Sequence, residues 1–199
     1  RMIDADKLPA AVDRFLAAEE AAEHLEARGY ARIGIDHFAK PDDALAAALK
    51  GGRLRRNFQG YTADSAPILI GFGASAISRL PQGYAQNAPD TGAYLRAIDG
   101  GRLATCKGHA FSCDDSLRGA IIERIMCEGE ADAAFWGESL GGDPLLQERL
   151  NSLERDGLVE WTGKRLSLTP RGRPLARIVA AVFDAYLVPS TVENRHSLI

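Results

Sequence analysis

Glycine breaks set the length of everything this chain can build. Gly29, Gly51-Gly52, Gly71 with Gly73, Gly141-Gly142 and Gly157 cut it into short segments. The longest apolar runs, such as Ile68 to Ile70 and Ile178 to Val182, are far short of the roughly 20 residues that span a bilayer. Between the breaks, the hydrophobic spacing alternates in type. Residues 4–28 read as a helix from the three- and four-residue spacing of Leu8, Val12, Phe15, Leu16 and Leu25, closed by Gly29. Residues 30–35 alternate as a strand does, and Asp36-His37-Phe38 stands at its carboxyl end. Pro41-Asp42-Asp43 opens a second helix that runs through Leu49. Helix, strand, helix is a piece of an α/β fold.

The remainder reads less regularly. Residues 53–64 look irregular, and 68–74 read as a strand entering a glycine-rich turn. Residues 81–90 carry turn chemistry, and 90–98 a helix. Ser112-x-x-Asp115 starts another helix as a capping box, with Leu117, Ile121, Ile122, Ile125 and Met126 as its apolar face. Gly141 to Pro144 begins a helix through Leu153, followed by a hairpin near residues 158–168. Thr169-Pro170 then opens a last helix to about Leu187.

At 199 residues the chain suits one large or two small domains. With 46% apolar and 26% charged residues it is not a disordered composition. Its net charge of -3 gives no global basic field for nucleic acid or anionic lipid. Three cysteines are too few for a disulfide framework and suit a reducing, cytoplasmic compartment. No G-x-S-x-G, H-E-x-x-H or P-loop is present, so hydrolase, zincin and nucleotide-hydrolysis readings have no support.

Four groups of residues carry chemistry, each with a plainer reading beside it. Asp36-His37 either faces a site at a strand end or merely caps a loop. Gly71-x-Gly73 does not complete a dinucleotide fingerprint with an acidic residue in place, so its glycines report a close backbone approach to a strand or a ligand. Cys106, His109, Cys113 and Cys127 have soft donors but no usual zinc spacing, and Cys127 reads as a buried thiol. Residues 145–187 have the outline of a winged helix. From Arg149 to Arg177 seven basic residues stand against three acidic ones, as a DNA contact or as a solvated basic rim on a packing module.

Gly34-Ile-Asp-His-Phe-Ala39, Asn57-Phe-Gln-Gly-Tyr-Thr62, Gly71-Phe-Gly-Ala-Ser-Ala-Ile-Ser78 and Tyr84-Ala-Gln-Asn87 occur in this order, and Asp156-Gly-Leu-Val159, Leu168-Thr169, Arg171-Gly172 and Phe183-Asp-Ala-Tyr186 close the series. Together they resemble the C-terminal portion of the oxygen-independent coproporphyrinogen III oxidases, a radical S-adenosylmethionine family. Asn57 to Thr62 is the most specific part. The Tyr-Trp pair of the related haem chaperones is absent near this point.

The resemblance implies an α/β remnant, the last strands and helices of a partial TIM-like barrel, over residues 1–105. A mainly α C-terminal domain with a winged-helix-like hairpin would follow over 106–199. It implies decarboxylation of two propionates of coproporphyrinogen III to vinyl groups, giving protoporphyrinogen IX. A four-iron four-sulfur cluster and S-adenosylmethionine would generate the radical that takes the propionate hydrogen. Phe58 and Gln59 match positions that line an S-adenosylmethionine site, and Ile77 one that contacts a second. Gly71 and Gly73 match more weakly, as places where the strand passes near the cofactor. Asp36 and His37 match a motif without an assigned role, and the three cysteines match no cluster ligand. The cluster motif and first barrel strands are not in this sequence, so the expectation is a fragment, inactive alone. Its cut barrel would expose apolar edges and favour self-association. A stand-alone tetrapyrrole or S-adenosylmethionine binder is the alternative, and a DNA-binding winged helix another.

Overall fold

The computed structural model describes residues 8–137 and 140–187. Helix α1, Ala11–Glu26, falls inside the expected span but buries only Ala22, while Leu8, Val12 and Leu16 face solvent. A forked pair, Arg32 Nη1 and Nη2 to the two Glu19 oxygens at 3.2 and 2.7 Å, ties it to the next strand. That strand is short: β1, Ala31–Arg32, pairs with β2, Phe38–Ala39. Helix α2, Ala44–Lys50, starts where expected because the Asp43 carboxylate accepts from Leu45 N at 2.8 Å.

Residues 53–64 depart from the irregular reading. Strands β3, Arg55–Asn57, and β4, Gly60–Thr62, form a hairpin around Phe58 and Gln59. Those two residues carry no turn signal. The turn is made by Asn57 Oδ1, which accepts from Gln59 N at 2.8 Å, and by Gly60 at φ 135°.

The strand expected over 68–74 is reduced to a bridge between Leu69 and Arg79. Instead β5, Ile77–Leu80, β6, Gly83–Asn87, and β7, Thr105–Ala110, make an antiparallel sheet in that order. Residues 81–82 supply its first turn. Helix α3, Thr91–Asp99, capped by Asp90, connects β6 to β7. Every strand pairing among the described residues is antiparallel.

Helix α4, Cys113–Glu128, begins with the expected capping box of Ser112 and Asp115. After β8, Glu130–Asp132, and helix α5, Pro144–Arg155, the hairpin of β9, Val159–Thr162, and β10, Arg165–Leu168, joins β8 in a three-stranded sheet. The last helix is shorter than its sequence suggests. A 3-10 turn at Arg173–Leu175 leads into α6, Ala176–Ala181. Thr169 draws the preceding chain onto the hairpin instead, donating from its hydroxyl to Gly157 O at 2.7 Å and accepting from Gly172 N at 3.0 Å.

Two apolar clusters form. The larger joins α4, α5, α6 and the β8–β10 sheet around Trp136, Phe183, Ile125, Leu150 and Val179. The smaller gathers Ile33, Ala46, Ala48 and Leu54 with Cys127. Helix α4 serves both.

Candidate functional site

The four sequence motifs converge through their backbones. The Tyr61 ring occupies the space where Gly34 would carry a side chain, so the first motif packs beneath the second. His37 meets Tyr61 edge to face at 5.1 Å, and its Nδ1 lies 2.7 Å from Asp36 Oδ1. The Tyr61 hydroxyl donates to Met126 O on α4 at 3.1 Å, and burial pushes its pKa up. Asp36 and His37 therefore brace the foot of the β3–β4 hairpin.

The third and fourth motifs interlock at the glycine loop. Asn87 Nδ2 donates to both Gly71 O and Gly73 O at 3.1 Å. Gly71 N donates to Ser78 Oγ at 3.0 Å and Gly73 N to the Tyr94 hydroxyl at 3.1 Å. A Cβ on Gly71 would stand 2.8 Å from Ile77 O, so the close approach read from sequence is to the neighbouring strand. Gly73 sits at φ 101°, open to solvent where a side chain would be.

Phe58 and Ile77 come to one side. Strand alternation and register put Ile77, Arg79, Tyr84, Gln86 and His109 on the same face of the β5–β7 sheet. Phe58, 51% exposed at its hairpin tip, stacks edge-on to Tyr84 at 5.2 Å. A row of rings continues from there: Tyr84 to Phe111 at 4.7 Å, Phe111 to His109 at 6.1 Å, and His109 to Tyr186 at 5.2 Å. Gln59 is exposed beside Phe58.

That row borders a cleft of about 860 Å³ between β3, the β5–β7 sheet, α4 and the segment after α6. Phe58, Gln59, Gly71, Gly73 and Ile77 lie outside its lining; their neighbours Asn57, Arg79 and Tyr84 lie within it. At one end Tyr186 donates to Asp115 Oδ1 at 2.8 Å, and His109 Nε2 stands 3.4 Å from Asp115 Oδ2. The bonds from Ser112 and then Tyr186 hold the Asp115 carboxyl well below the usual carboxylate range, and the same carboxylate pushes the Tyr186 pKa up. At the other end the Arg79 guanidinium is 3.9 Å from Glu123, and Glu123 also accepts from Arg56 N at 3.5 Å. Arg56 lies over the Tyr61 ring at 5.6 Å, and its Nε is buried without a hydrogen-bond partner among the described residues.

Sequence reasoning did not assign the cleft. Asp115 is legible as a cap and Tyr186 as part of a motif, but nothing local tells that they meet. The soft-donor set does not assemble: Cys106 and Cys113 are exposed, Cys127 is buried, and among the described residues no group of three His, Cys, Asp or Glu could hold a metal ion.

No family model matches the chain. Curated relatives do. It is 48% identical to an oxygen-independent coproporphyrinogen III oxidase of Paracoccus denitrificans, over 93% of this chain and 42% of that one. It is 49% identical to the same-named protein of Bradyrhizobium diazoefficiens, over 95% of this chain and 43% of that one. Among solved structures, coproporphyrinogen III oxidase from Escherichia coli, described as a radical SAM enzyme, matches with a TM-score of 0.84 and 35% identity. That match covers 93% of this chain and 44% of the other. The chain thus spans less than half the length of these relatives.

Proposed function

We propose, from the premise that this chain resembles the C-terminal portion of the oxygen-independent coproporphyrinogen III oxidases, that it supplies that portion of such an enzyme. The reaction is oxidative decarboxylation of two propionates of coproporphyrinogen III, yielding protoporphyrinogen IX for porphyrin synthesis. The observation that carries the reading is agreement over nearly the whole chain, in sequence and in fold, with proteins of one name. We read the first half as the part that follows and closes a partial barrel in the relatives, since its own described strands pair only antiparallel and not as parallel barrel strands, and the α5–hairpin–α6 unit as winged-helix-like. We keep a division at 105/106 as a reading of the two apolar clusters, which are joined across it: β7 pairs with β6 of the first part, Cys127 sits in the first part's cluster and Ile35 packs on the second's. A cytoplasmic setting without nucleic-acid or membrane partners goes with this reading; no helix among the described residues is long and apolar enough to cross a membrane.

The residues fit S-adenosylmethionine in chemistry. Phe58 offers a flat apolar wall, Gln59 an orienting amide beside it, and Ile77 an apolar contact on the same side of the sheet. Gly71 and Gly73 shape the loop, since their amides and carbonyls are bonded within the protein. When bound, the cofactor with its four-iron four-sulfur cluster supplies the radical that removes hydrogen from the propionate. The cysteines of this chain do not gather to hold that cluster, which we assign to the remainder of the relatives' length.

The test is an anaerobic assay of the intact protein from its whole reading frame, with reconstituted cluster, S-adenosylmethionine and a low-potential reductant. Conversion of coproporphyrinogen III to protoporphyrinogen IX is expected, slowed about a hundredfold in Phe58→Ala through misplacement of the cofactor. No conversion by the cluster-loaded protein overturns the reading.

A further inference from the structure

We propose that the cleft between the β5–β7 sheet and α4 binds the carboxylate-bearing pyrroles of a tetrapyrrole, with Arg55 and Arg79 taking carboxylates and the ring row from Tyr84 to Tyr186 taking the pyrroles. This rests on the reading above and assigns to that reaction a subsite separate from the Phe58–Gln59–Ile77 group.

Three observations carry it. The first is size: about 860 Å³ lies within the roughly 300–1,000 Å³ of small-molecule sites. The second is the wall. Tyr84, Phe111, His109 and Tyr186 form a connected series of edge-to-face rings along one side, and such rings present both π-faces and edges to a flat heterocycle. The third is charge. Four carboxylates and four arginines line the cleft, and three of the carboxylates turn an oxygen to a neighbouring donor. Asp64 accepts from Ala66 N, Asp184 from Tyr186 N, and Asp115 from Ser112 and Tyr186. Glu123 alone faces Arg56 and Arg79, at a long 3.9 Å from the Arg79 guanidinium. Arg55 lines the same cleft without an ion pair among the described residues. The Arg79 guanidinium and Arg55 are both open to the cleft, so a ligand carboxylate can reach them through charge-assisted bonds. Coproporphyrinogen III combines the two chemistries the cleft offers, pyrrole rings and carboxylates.

The test uses this chain and coproporphyrin III, the stable oxidised tetracarboxylate, followed by absorbance. Its tetramethyl ester is the uncharged probe. Saturable binding of the acid is expected, at least tenfold tighter than of the ester. Arg79→Gln should lose about tenfold for the acid and nothing for the ester, since loss of one charge-assisted contact is of that order. Arg79 is half exposed, so the variant should keep the parent's circular dichroism spectrum. Tyr84→Leu, also partly exposed, should weaken both probes. Equal affinity for acid and ester overturns the proposal. So does acid binding that neither variant changes, which places the ligand elsewhere and leaves the enzymatic reading standing. Absence of binding up to high micromolar concentration also overturns it, while the enzymatic reading still answers to the conversion assay.

Discussion

Asp115 accepts more hydrogen bonds than its place in a helix cap requires. Ser112 N and Oγ donate to one oxygen at 2.9 and 2.7 Å, and Tyr186 donates to the other. These bonds favour the ionised form and depress the folded-state pKa. Stability from a depressed carboxylate is present above its unfolded pKa, about 4, and is lost as pH falls through the folded value. Acid melts should therefore show the wild type losing more stability below about pH 4 than Asp115→Asn, which cannot titrate. Parallel acid limbs would show that the bonds to Asp115 are not formed in solution. Cys127 shows the opposite shift: burial, reinforced by Glu123, pushes its thiol up to about 12. A thiol so poor in thiolate is unreactive. Ellman's reagent at pH 8 should find two fast thiols, Cys106 and Cys113, and the third only in denaturant. The sequence suggested both features in part. The cap lies within four residues, and Cys127 stands among apolar neighbours. Tyr186 lies 71 residues from Asp115, so no local pattern announces their bond.

The helices with side-chain caps were legible because each start signal is local. Asp43, Asp90, Ser112 and Asp143 all accept from their own first turns. The β3–β4 and β5–β6 hairpins were not, because their strands run only three to five residues and their turns lack Asn-Gly or Asp-Gly. Strand β7 went unread because all six of its residues are exposed, so no apolar face gives a period-two signal. The shortened last helix has a tertiary cause. Gly172 packs its Cα against the Leu158 carbonyl, where a Cβ would overlap, although its φ of -78° suits any residue. Gly172→Ala should therefore lower stability by about 1–3 kcal/mol through overpacking alone, as read from urea midpoints. A neutral result would mean that the 169–175 segment is not seated on the hairpin.

Exposed large apolar side chains occur along much of the chain, and the two most exposed of them lie in one stretch. Phe72 is 86% and Leu103 89% exposed, and Ile68, Ile70, Leu95 and Ile98 are each about half exposed, all in the 68–103 stretch. Contiguous exposed apolar surface drives association. We expect sedimentation of this chain to report mass above 21.4 kDa that grows with concentration, and Phe72→Ser to reduce it. A single monomer at all concentrations would remove the self-association proposed for a cut barrel. The antiparallel pairing of every described strand is the feature least visible in the residues, since alternation and turn chemistry say nothing about the direction of a distant partner. Helix α4 carries a different consequence. Ile121, Ile125 and Met126 belong to one apolar cluster and Cys127 to the other, while Glu123 and Met126 O bond the β3–β4 hairpin. A wall shared by two rooms cannot be removed from one. Melting either cluster strips a side of α4 and weakens the other, so the two should lose structure together. In dilute solution, calorimetry should then record one heat-absorption peak with equal calorimetric and van't Hoff enthalpies.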